Sequence, residues 1–186
     1  MRFSLGLVAC LFYLEYRISQ LSKKFPPLEE EPVYIDLLAN HPQHLPTAAQ
    51  WLFEEWGDSK NELWIANATK KIGAKMSTDS LPAHLIAIQD DKPLGFIALK
   101  FHEMEEYPER EHWLGSLYVI PEARGRNIGS ALIKEVIKYA ELHNVPTISL
   151  QTTHLNGGLY AQHGWQPVEQ ITSHGEEVLV MERKRD

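Results

Sequence analysis

Residues 117–132 read LYVIPEARGRNIGSAL, and this stretch decides the fold. A β-type run passes through a basic, glycine-containing turn and opens into a long helix. The N–H groups and positive dipole end of a helix N-terminus favour anions, and Gly125 and Gly129 allow the backbone to approach a pyrophosphate closely. Arg124 and Arg126 add positive charge. The local pattern predicts either an anion site or an ordinary tight strand-to-helix turn.

Two common nucleotide-binding motifs do not match this turn. A Walker loop requires a lysine after its last glycine, whereas Ser130 follows Gly129 here. The dinucleotide fingerprint requires three glycines in the pattern G-x-G-x-x-G, and the turn has only two, at a different spacing. An anion held by this turn would therefore be bound in another way.

Strand-like and helix-like segments alternate along the rest of the chain from Val33 onward. Helical periodicity is found at residues 45–56, 62–76, 128–143 and 159–163. β-type runs are found at residues 33–38, 83–89, 94–102, 113–120, 147–151 and 177–181. The order predicts an α/β (α+β) fold with a mixed, mostly antiparallel central sheet flanked by helices. A single β-α-β crossover, from 113–120 through 128–143 to 147–151, predicts one parallel strand pair at its centre.

The composition is that of an acidic globular protein. Hydrophobic residues make up 44% and charged residues 23% of the 186 residues, which excludes a disordered or collagen-like chain. The formal net charge of −7 argues against nucleic acid as a partner and suits a cationic substrate. Cys10 is the only cysteine, so zinc-ribbon and iron–sulfur patterns are excluded. The only close histidine pair, His41 and His44, is interpreted as part of a surface loop, and we expect no metal.

Residues 1–32 are predicted to form an appendage to the domain at residues 33–186. The appendage combines an extra N-terminal helix, marked by an apolar stripe, with a linker rich in proline and glutamate. The stripe consists of Leu7, Leu11, Leu14, Ile18 and Leu21. Residues 3–21 could pack on the domain itself, on a second copy in a homodimer, or on a membrane surface. The apolar run is about 12 residues long, whereas a membrane span needs roughly 20.

Two motifs, found in the expected order, resemble the GNAT superfamily of N-acetyltransferases. Residues 124–129, RGRNIG, align with the family's pyrophosphate loop Q/R-x-x-G-x-G/A. Asn127 stands where the family usually has its first glycine, and asparagine tolerates left-handed backbone better than most residues. Residues 159–165, LYAQHGW, are similar to the motif F/L-Y-x-x-x-G-F/W that follows the fifth strand. The resemblance covers about residues 33–184.

The resemblance implies acetyl-CoA as a co-substrate, lying between splayed fourth and fifth strands. Backbone groups of Leu117, Tyr118 and Val119 would contact the pantetheine arm and the acetyl carbonyl, and an N–H near Val119 would stabilise the oxyanion. Tyr160 would protonate the departing CoA thiolate, since a phenol with a pKa of about 10 is protonated at neutral pH. The residues that would hold the pyrophosphate are Arg124, Gly125, Arg126, Asn127, Ile128, Gly129 and Ser130.

The proton acceptor for the attacking amine is a separate question. Many family members carry a glutamate on the fourth strand, but Gly115 and Ser116 occupy those positions here. The nearest carboxylates are Glu103, Glu105 and Glu106, in a charged segment before that strand. We favour Glu105 or Glu106 as the general base, and the alternative is that the whole segment is a solvated loop.

Three hypotheses follow for function. The leading one is a cytoplasmic N-acetyltransferase that moves the acetyl group of acetyl-CoA to a primary amine of a small molecule or peptide, by direct attack in a ternary complex. The second is a non-catalytic CoA-binding sensor on the same fold, which the absent fourth-strand glutamate favours and Tyr160 opposes. The third is an oligomerisation or membrane-tethered module led by the N-terminal stripe.

Overall fold

Helices and strands alternate along the chain in the computed structural model, which describes residues 31–57 and 63–185. The strands in this part are β1 (Tyr34–Leu37), β2 (Ala83–Gln89), β3 (Lys92–Phe101), β4 (His112–Val119), β5 (Thr147–Thr152), β6 (Gln166–Ser173) and β7 (Glu176–Lys184). The α-helices in this part are α1 (Leu45–Trp56), α2 (Trp64–Gly73), α3 (Ile128–Leu142) and α4 (Gly158–Ala161).

The strands form one mixed sheet in the order β1-β2-β3-β4-β5-β7-β6. The pair β4–β5 is parallel, and the other five pairs are antiparallel. The predicted fold class is therefore confirmed. The sequence pattern did not place β6, because most of its side chains are exposed and it lacks the alternation of a half-buried strand.

Helix α3 covers one face of the sheet and provides the crossover between β4 and β5. Its buried residues recur at helical spacing, so one side of the helix is apolar over its whole length. They are Ile128, Leu132, Ile133, Val136 and Ala140. These side chains pack against inward-facing residues of the strands, including Ile97, Leu114 and Leu150. This face is called the α3 face below.

The opposite face of the sheet carries two smaller apolar clusters. Residues of α1 and α2, including Trp51 and Ile72, cover Ile86 and Phe96 at the β2–β3 end. Near β4 and β7, the side chain of Trp113 packs with those of Met104, Tyr107, Val178 and Val180. The space between β4 and β5 is thus bordered by a different set of elements on each face.

The helix predicted within residues 7–21 lies outside the described residues. Across residues 31–57 and 63–185, the helices are all too short or too polar to cross a membrane.

Candidate active site

The parallel strands β4 and β5 pair at one point and then diverge. Trp113 of β4 and Ser149 of β5 are register partners, and no further partners follow along these two strands. β5 continues in register with β7 as far as Thr152. Beyond the Trp113–Ser149 pair, the backbone N–H and C=O groups on the facing edges of β4 and β5 therefore have no strand partner. An extended ligand can bind these groups.

A β-bulge lies on β4 beside this gap. Gly115 pairs with Ala98, and Tyr118 pairs with Phe96. β4 thus has one residue more than β3 between these two pairs, and Ser116 within the bulge has a φ of +58°. A bulge bends the strand and redirects the backbone groups next to it. The alternation of residue types gave no sign of this extra residue.

The turn after β4 contains two residues with positive φ directly before a helix. Gly125 has a φ of +78° and Asn127 a φ of +61°, both in the left-handed region. The asparagine that replaces the family's glycine thus has a conformation that asparagine tolerates. Helix α3 begins directly afterwards at Ile128, so the first N–H groups of a 15-residue helix lie at the end of the gap.

The two arginines of the turn are anchored by contacts with neighbouring strands. Arg124 donates a hydrogen bond from Nε to the carbonyl of Val119 at 3.0 Å, and its guanidinium lies 6.0 Å from the ring centre of Tyr118. Arg126 donates to Oε1 of Gln89 at 2.7 Å. Both arginines are exposed and add positive charge to the entrance of the gap.

Tyr160 lies on the short helix α4, on the α3 face. Its ring packs edge-on against Trp165 at 6.4 Å between ring centres. Burial raises the pKa of Tyr160 above its usual value of 10, so the phenol is protonated at neutral pH. His163, just after α4, lies with Nε2 3.0 Å from Oγ of Ser130, and this contact joins the segment after α4 to the first turn of α3.

A pocket of about 480 Å³ lies on the face opposite α3. Gln151 contributes to the pocket wall and is the register partner of Val180, so the two side chains are on the same face of the sheet. Val180 packs with Trp113 in the cluster opposite α3, so the pocket is on that face as well. The residues that line it are Glu103, Met104, Glu105, Glu106, Gln151, Ser173 and His174. Gln151 is two residues past Ser149 on β5, so the pocket borders the gap where the strands begin to separate.

Both favoured carboxylates are in this pocket. Glu105 and Glu106 are both exposed, and Glu106 accepts a hydrogen bond from Oγ of Ser173 at 3.2 Å. Ser173 and His174 come from the β6–β7 hairpin, far away in sequence. Neither they nor Gln151 could be identified from spacing, because only the sheet order brings them beside residues 103–106.

Residues 103–111 are not simply a solvated loop. Met104 and Tyr107 are 4% and 9% exposed and pack against Trp113. The hydroxyl of Tyr107 donates a hydrogen bond to Glu169 of β6 at 2.7 Å, and burial together with Glu169 raises the pKa of Tyr107 to about 12. These contacts hold the pocket wall against β6 and β7.

Arg110 provides a second anchor for this segment. Its Nη1 donates to Oγ of Ser149 at 3.2 Å and to Oε2 of Glu182 at 3.0 Å. The hydrogen bond from Arg110 is the largest cause of the lowered pKa of Glu182; burial opposes it, and a hydrogen bond from Lys184 adds to the lowering. The anchor is thus a charge-assisted contact made beside the last paired residues of β4 and β5.

Known structures share this fold at low sequence identity. An aminoglycoside 6'-acetyltransferase type Ii has a TM-score of 0.60 at 20% identity, over 81% of this chain and 96% of that one. PaiA N-acetyltransferase from Thermoplasma acidophilum, solved with coenzyme A, has a TM-score of 0.60 at 21% identity, over 83% of this chain and 99% of that one. The ribosomal-protein-S18-alanine N-acetyltransferase from Escherichia coli has a TM-score of 0.59 at 18% identity, over 82% of this chain and 94% of that one.

Comparison with curated protein sequences gave no significant match. The family model of the acetyltransferase (GNAT) family, in contrast, matches residues 31–165, which is well over half of the chain. That range includes the gap, the glycine-containing turn and Tyr160. The chain belongs to the GNAT acetyltransferase family.

Proposed function

We propose that the protein transfers the acetyl group of acetyl-CoA to a primary amine of a small molecule or peptide, by direct attack in a ternary complex. The observation that carries this proposal is the gap between β4 and β5. The glycine-containing turn follows β4, Tyr160 packs against the core on the α3 face, and the pocket lined by Glu103, Glu105 and Glu106 borders the gap on the other face. Two substrates can therefore meet in the gap from opposite faces, without a covalent enzyme intermediate.

The residues around the turn fit the phosphate groups of acetyl-CoA. A Cβ at Gly125 would have no atom within 4 Å, so the turn has open space on this side. The N–H groups of Ile128, Gly129 and Ser130 lie at the positive end of α3 and can donate to phosphate oxygens. Arg124 and Arg126 supply the countercharge. Backbone groups of residues 117–119 on the edge of β4 that faces β5 would bind the pantetheine arm.

The proposed chemistry is an acyl transfer in which one C–N bond forms and one C–S bond breaks. The amine nitrogen attacks the thioester carbonyl, and an N–H near Val119 stabilises the oxyanion. When the C–S bond breaks, the Tyr160 hydroxyl donates its proton to the sulfur. Solvent then reprotonates the phenolate, and the proton lost by the amine leaves through a base on the pocket side. Glu105 and Glu106 are the candidates for that base from the sequence.

The acceptor side favours a cationic amine. The pocket wall includes three glutamates, and the chain as a whole has a net charge of −7. The similar structures include enzymes named for an aminoglycoside and for an alanine of a ribosomal protein, and both are amines. A small polyamine, an amino sugar and an exposed peptide amine all match this chemistry.

The alternative function is a CoA-binding sensor without catalysis. It is favoured by the absence of a carboxylate at Gly115 and Ser116 of β4, and opposed by the presence of Tyr160, whose phenol is protonated at neutral pH. A thiol-release assay with acetyl-CoA over panels of small amines, aminoglycosides and peptides tests both. Release that depends on an amine supports the transferase. Tight acetyl-CoA binding by calorimetry with no release on any amine supports the sensor, and no binding contradicts both.

The domain at residues 33–186 is proposed to carry this activity in the cytoplasm. Residues 3–21 are proposed to pack on the domain itself, in a homodimer or on a membrane surface. Deletion of residues 1–32 should leave amine-dependent thiol release unchanged. Mass in solution and binding to anionic vesicles, measured with and without the deletion, then test the homodimer and the membrane contact.

A further inference from the structure

The space above Gly115 of β4 is filled by an ion pair from the neighbouring strand and loop. A Cβ added to Gly115 would lie 2.5 Å from Cε and 2.9 Å from Nζ of Lys100, and 3.6 Å from Oε1 of Glu103. Nζ of Lys100 lies 2.5 Å from Oε2 of Glu103, and both side chains are partly buried. Lys100 and Glu103 thus occupy the volume that a side chain at position 115 would take.

This ion pair lies where β4 and β5 separate. Trp113 and Ser149 are the paired residues, so Gly115 and Gln151, two residues further along, would face each other if the pairing continued. Glu103 and Gln151 both line the acidic pocket. The carboxylate is therefore at the point where the pocket meets the gap, whereas Glu106 is bonded to Ser173 of the β6–β7 hairpin.

Lys100 also holds the carboxylate in a defined orientation. Its ammonium lies between Oε2 of Glu103 and the hydroxyl of Ser116, which is 3.4 Å away in the β4 bulge. With Oε2 bound to the ammonium, Oε1 is the carboxylate oxygen nearest the space above Gly115. A carboxylate held by a lysine on a rigid strand is better positioned for proton transfer than one on an exposed side chain such as Glu105.

We infer that Glu103, positioned by Lys100 above Gly115, is the proton acceptor for the amine. This inference rests on the proposed acetyl transfer. The ammonium enters from the pocket and passes one proton to Oε1, and the nitrogen lone pair that this frees attacks the thioester carbon. After the C–S bond breaks and the thiolate takes the Tyr160 proton, the nitrogen loses its second proton to solvent, the phenolate takes a proton from solvent, and Glu103 releases its proton to solvent. The net reaction consumes an ammonium and acetyl-CoA, and produces an amide, CoA thiol and one proton.

The titratable groups near Glu103 come from several elements. Lys100 lies on β3, Glu105, Glu106 and His174 line the same pocket, and His84 lies on β2. Burial first, and then Lys100, lower the pKa of His84 to about 4, so His84 is neutral over the pH range of the assay. A change in the pH profile between pH 6 and 10 on substitution of Glu103 therefore does not arise from His84.

The test is the pH dependence of kcat/KM for the full-length chain, with the best amine from the thiol-release screen. Glu103→Gln should lower kcat/KM at pH 7 by about 10²- to 10³-fold, within the usual range for general base catalysis. The deficit should shrink as the pH approaches the pKa of the amine, because the free amine then needs no proton acceptor. Acetyl-CoA affinity by calorimetry should stay at the wild-type value.

Three further variants make the result specific. Glu109→Gln changes an exposed carboxylate of the same loop outside the pocket and should behave as wild type. Lys100→Met combined with Glu103→Gln removes the whole ion pair, so that no half-buried ammonium is left without a partner. This double variant should fold with a wild-type melting temperature and keep the kinetic deficit. Glu103→Asp should recover part of the activity.

Several outcomes would overturn the assignment of Glu103. They are a wild-type pH profile in Glu103→Gln, restored activity in the double variant, or a larger deficit in Glu105→Gln or Glu106→Gln than in Glu103→Gln. In each of these cases the wild-type enzyme still transfers acetyl groups, so the proposed function stands. If the wild-type chain releases no thiol with any amine, the proposed function fails, and the assignment of Glu103 fails with it.

Discussion

The two sides of the β4–β5 gap are built in different ways. On the α3 face, β4, the turn and the start of α3 follow one another within residues 112–130, and most of the site's backbone groups come from one continuous stretch. On the other face, the pocket is assembled from the loop after β3, one residue of β5 and the β6–β7 hairpin. One side is local in sequence, and the other is made by tertiary contacts.

This difference predicts different sensitivities to substitution. The α3 side depends on backbone conformation at a few positions, so a change there should affect the proposed binding of acetyl-CoA and leave the fold intact. The pocket side depends on contacts such as Tyr107 with Glu169 and Arg110 with Ser149 and Glu182. A change there should loosen a wall of the pocket and alter stability together with binding of the amine.

The largest effect should come from Tyr160→Phe on the α3 side. The ring stays packed against Trp165, so the fold and acetyl-CoA affinity should hold. The turnover number should fall by about 10²- to 10⁴-fold, with KM nearly unchanged, because a general acid donates its proton only in the transition state. Steady-state kinetics with a circular dichroism check of folding measure this. Full activity in Tyr160→Phe would mean that Tyr160 is only a packing residue.

A second substitution tests the turn itself. Gly129→Glu places a carboxylate in the first turn of α3, where the phosphates should bind. It should lower the affinity for acetyl-CoA by at least about a hundredfold. Gly129→Ala is the matched control, since its Cβ would lie 3.3 Å from the flexible end of Leu159 and adds no charge. Calorimetry on both folded variants should show near wild-type affinity for acetyl-CoA in Gly129→Ala only. Equal affinities would place the phosphates elsewhere.

A smaller effect is expected on the pocket side from Tyr107→Phe. Loss of the hydrogen bond to the exposed Glu169 should lower the free energy of unfolding by about 1 kcal/mol and raise KM for the amine, with acetyl-CoA affinity unchanged. Tyr34→Phe, at a 46% exposed tyrosine, is the control and should change neither quantity. A shift in acetyl-CoA affinity in Tyr107→Phe would contradict the separation of the two sides.

The pH dependence of stability sharpens the same test. The fold raises the pKa of Tyr107 to about 12 and so favours the neutral phenol. This stabilisation is complete below pH 10, near the pKa of an unfolded tyrosine, and is lost as the pH rises through 12. The melting temperature of the wild type should therefore fall more steeply between pH 10 and 12 than that of Tyr107→Phe. Parallel curves would show that the Tyr107 contact contributes nothing.

The elements on the α3 side could be predicted because their signals are local. The run at residues 117–120, the glycines of the turn and the apolar spacing of Ile128, Leu132 and Val136 are all visible within a few helical turns. The bulge at Ser116 could not be predicted, because one extra residue on a strand leaves no mark in the alternation of residue types. β6 was left unplaced because its side chains are mostly exposed.

On the pocket side, the sequence identified the right segment but could not rank its carboxylates. Glu103, Glu105 and Glu106 are equivalent in residue type and close in position. Only the pairing of β3 with β4, which brings Lys100 over Gly115, distinguishes Glu103 from the other two. The anchoring of Tyr107 on Glu169 likewise spans 62 residues and depends on the position of β6 in the sheet.

By itself, the sequence of this protein determined the order of its elements, the glycine-containing turn at the start of α3 and its resemblance to the GNAT family. These follow from short-range periodicity and from backbone freedom at single residues, which do not depend on the rest of the chain. The tertiary structure alone decided where β4 and β5 part, which side chains line the pocket and which carboxylate lies above Gly115. Those features depend on strand order and register, which are set by the packing of residues far apart in the chain.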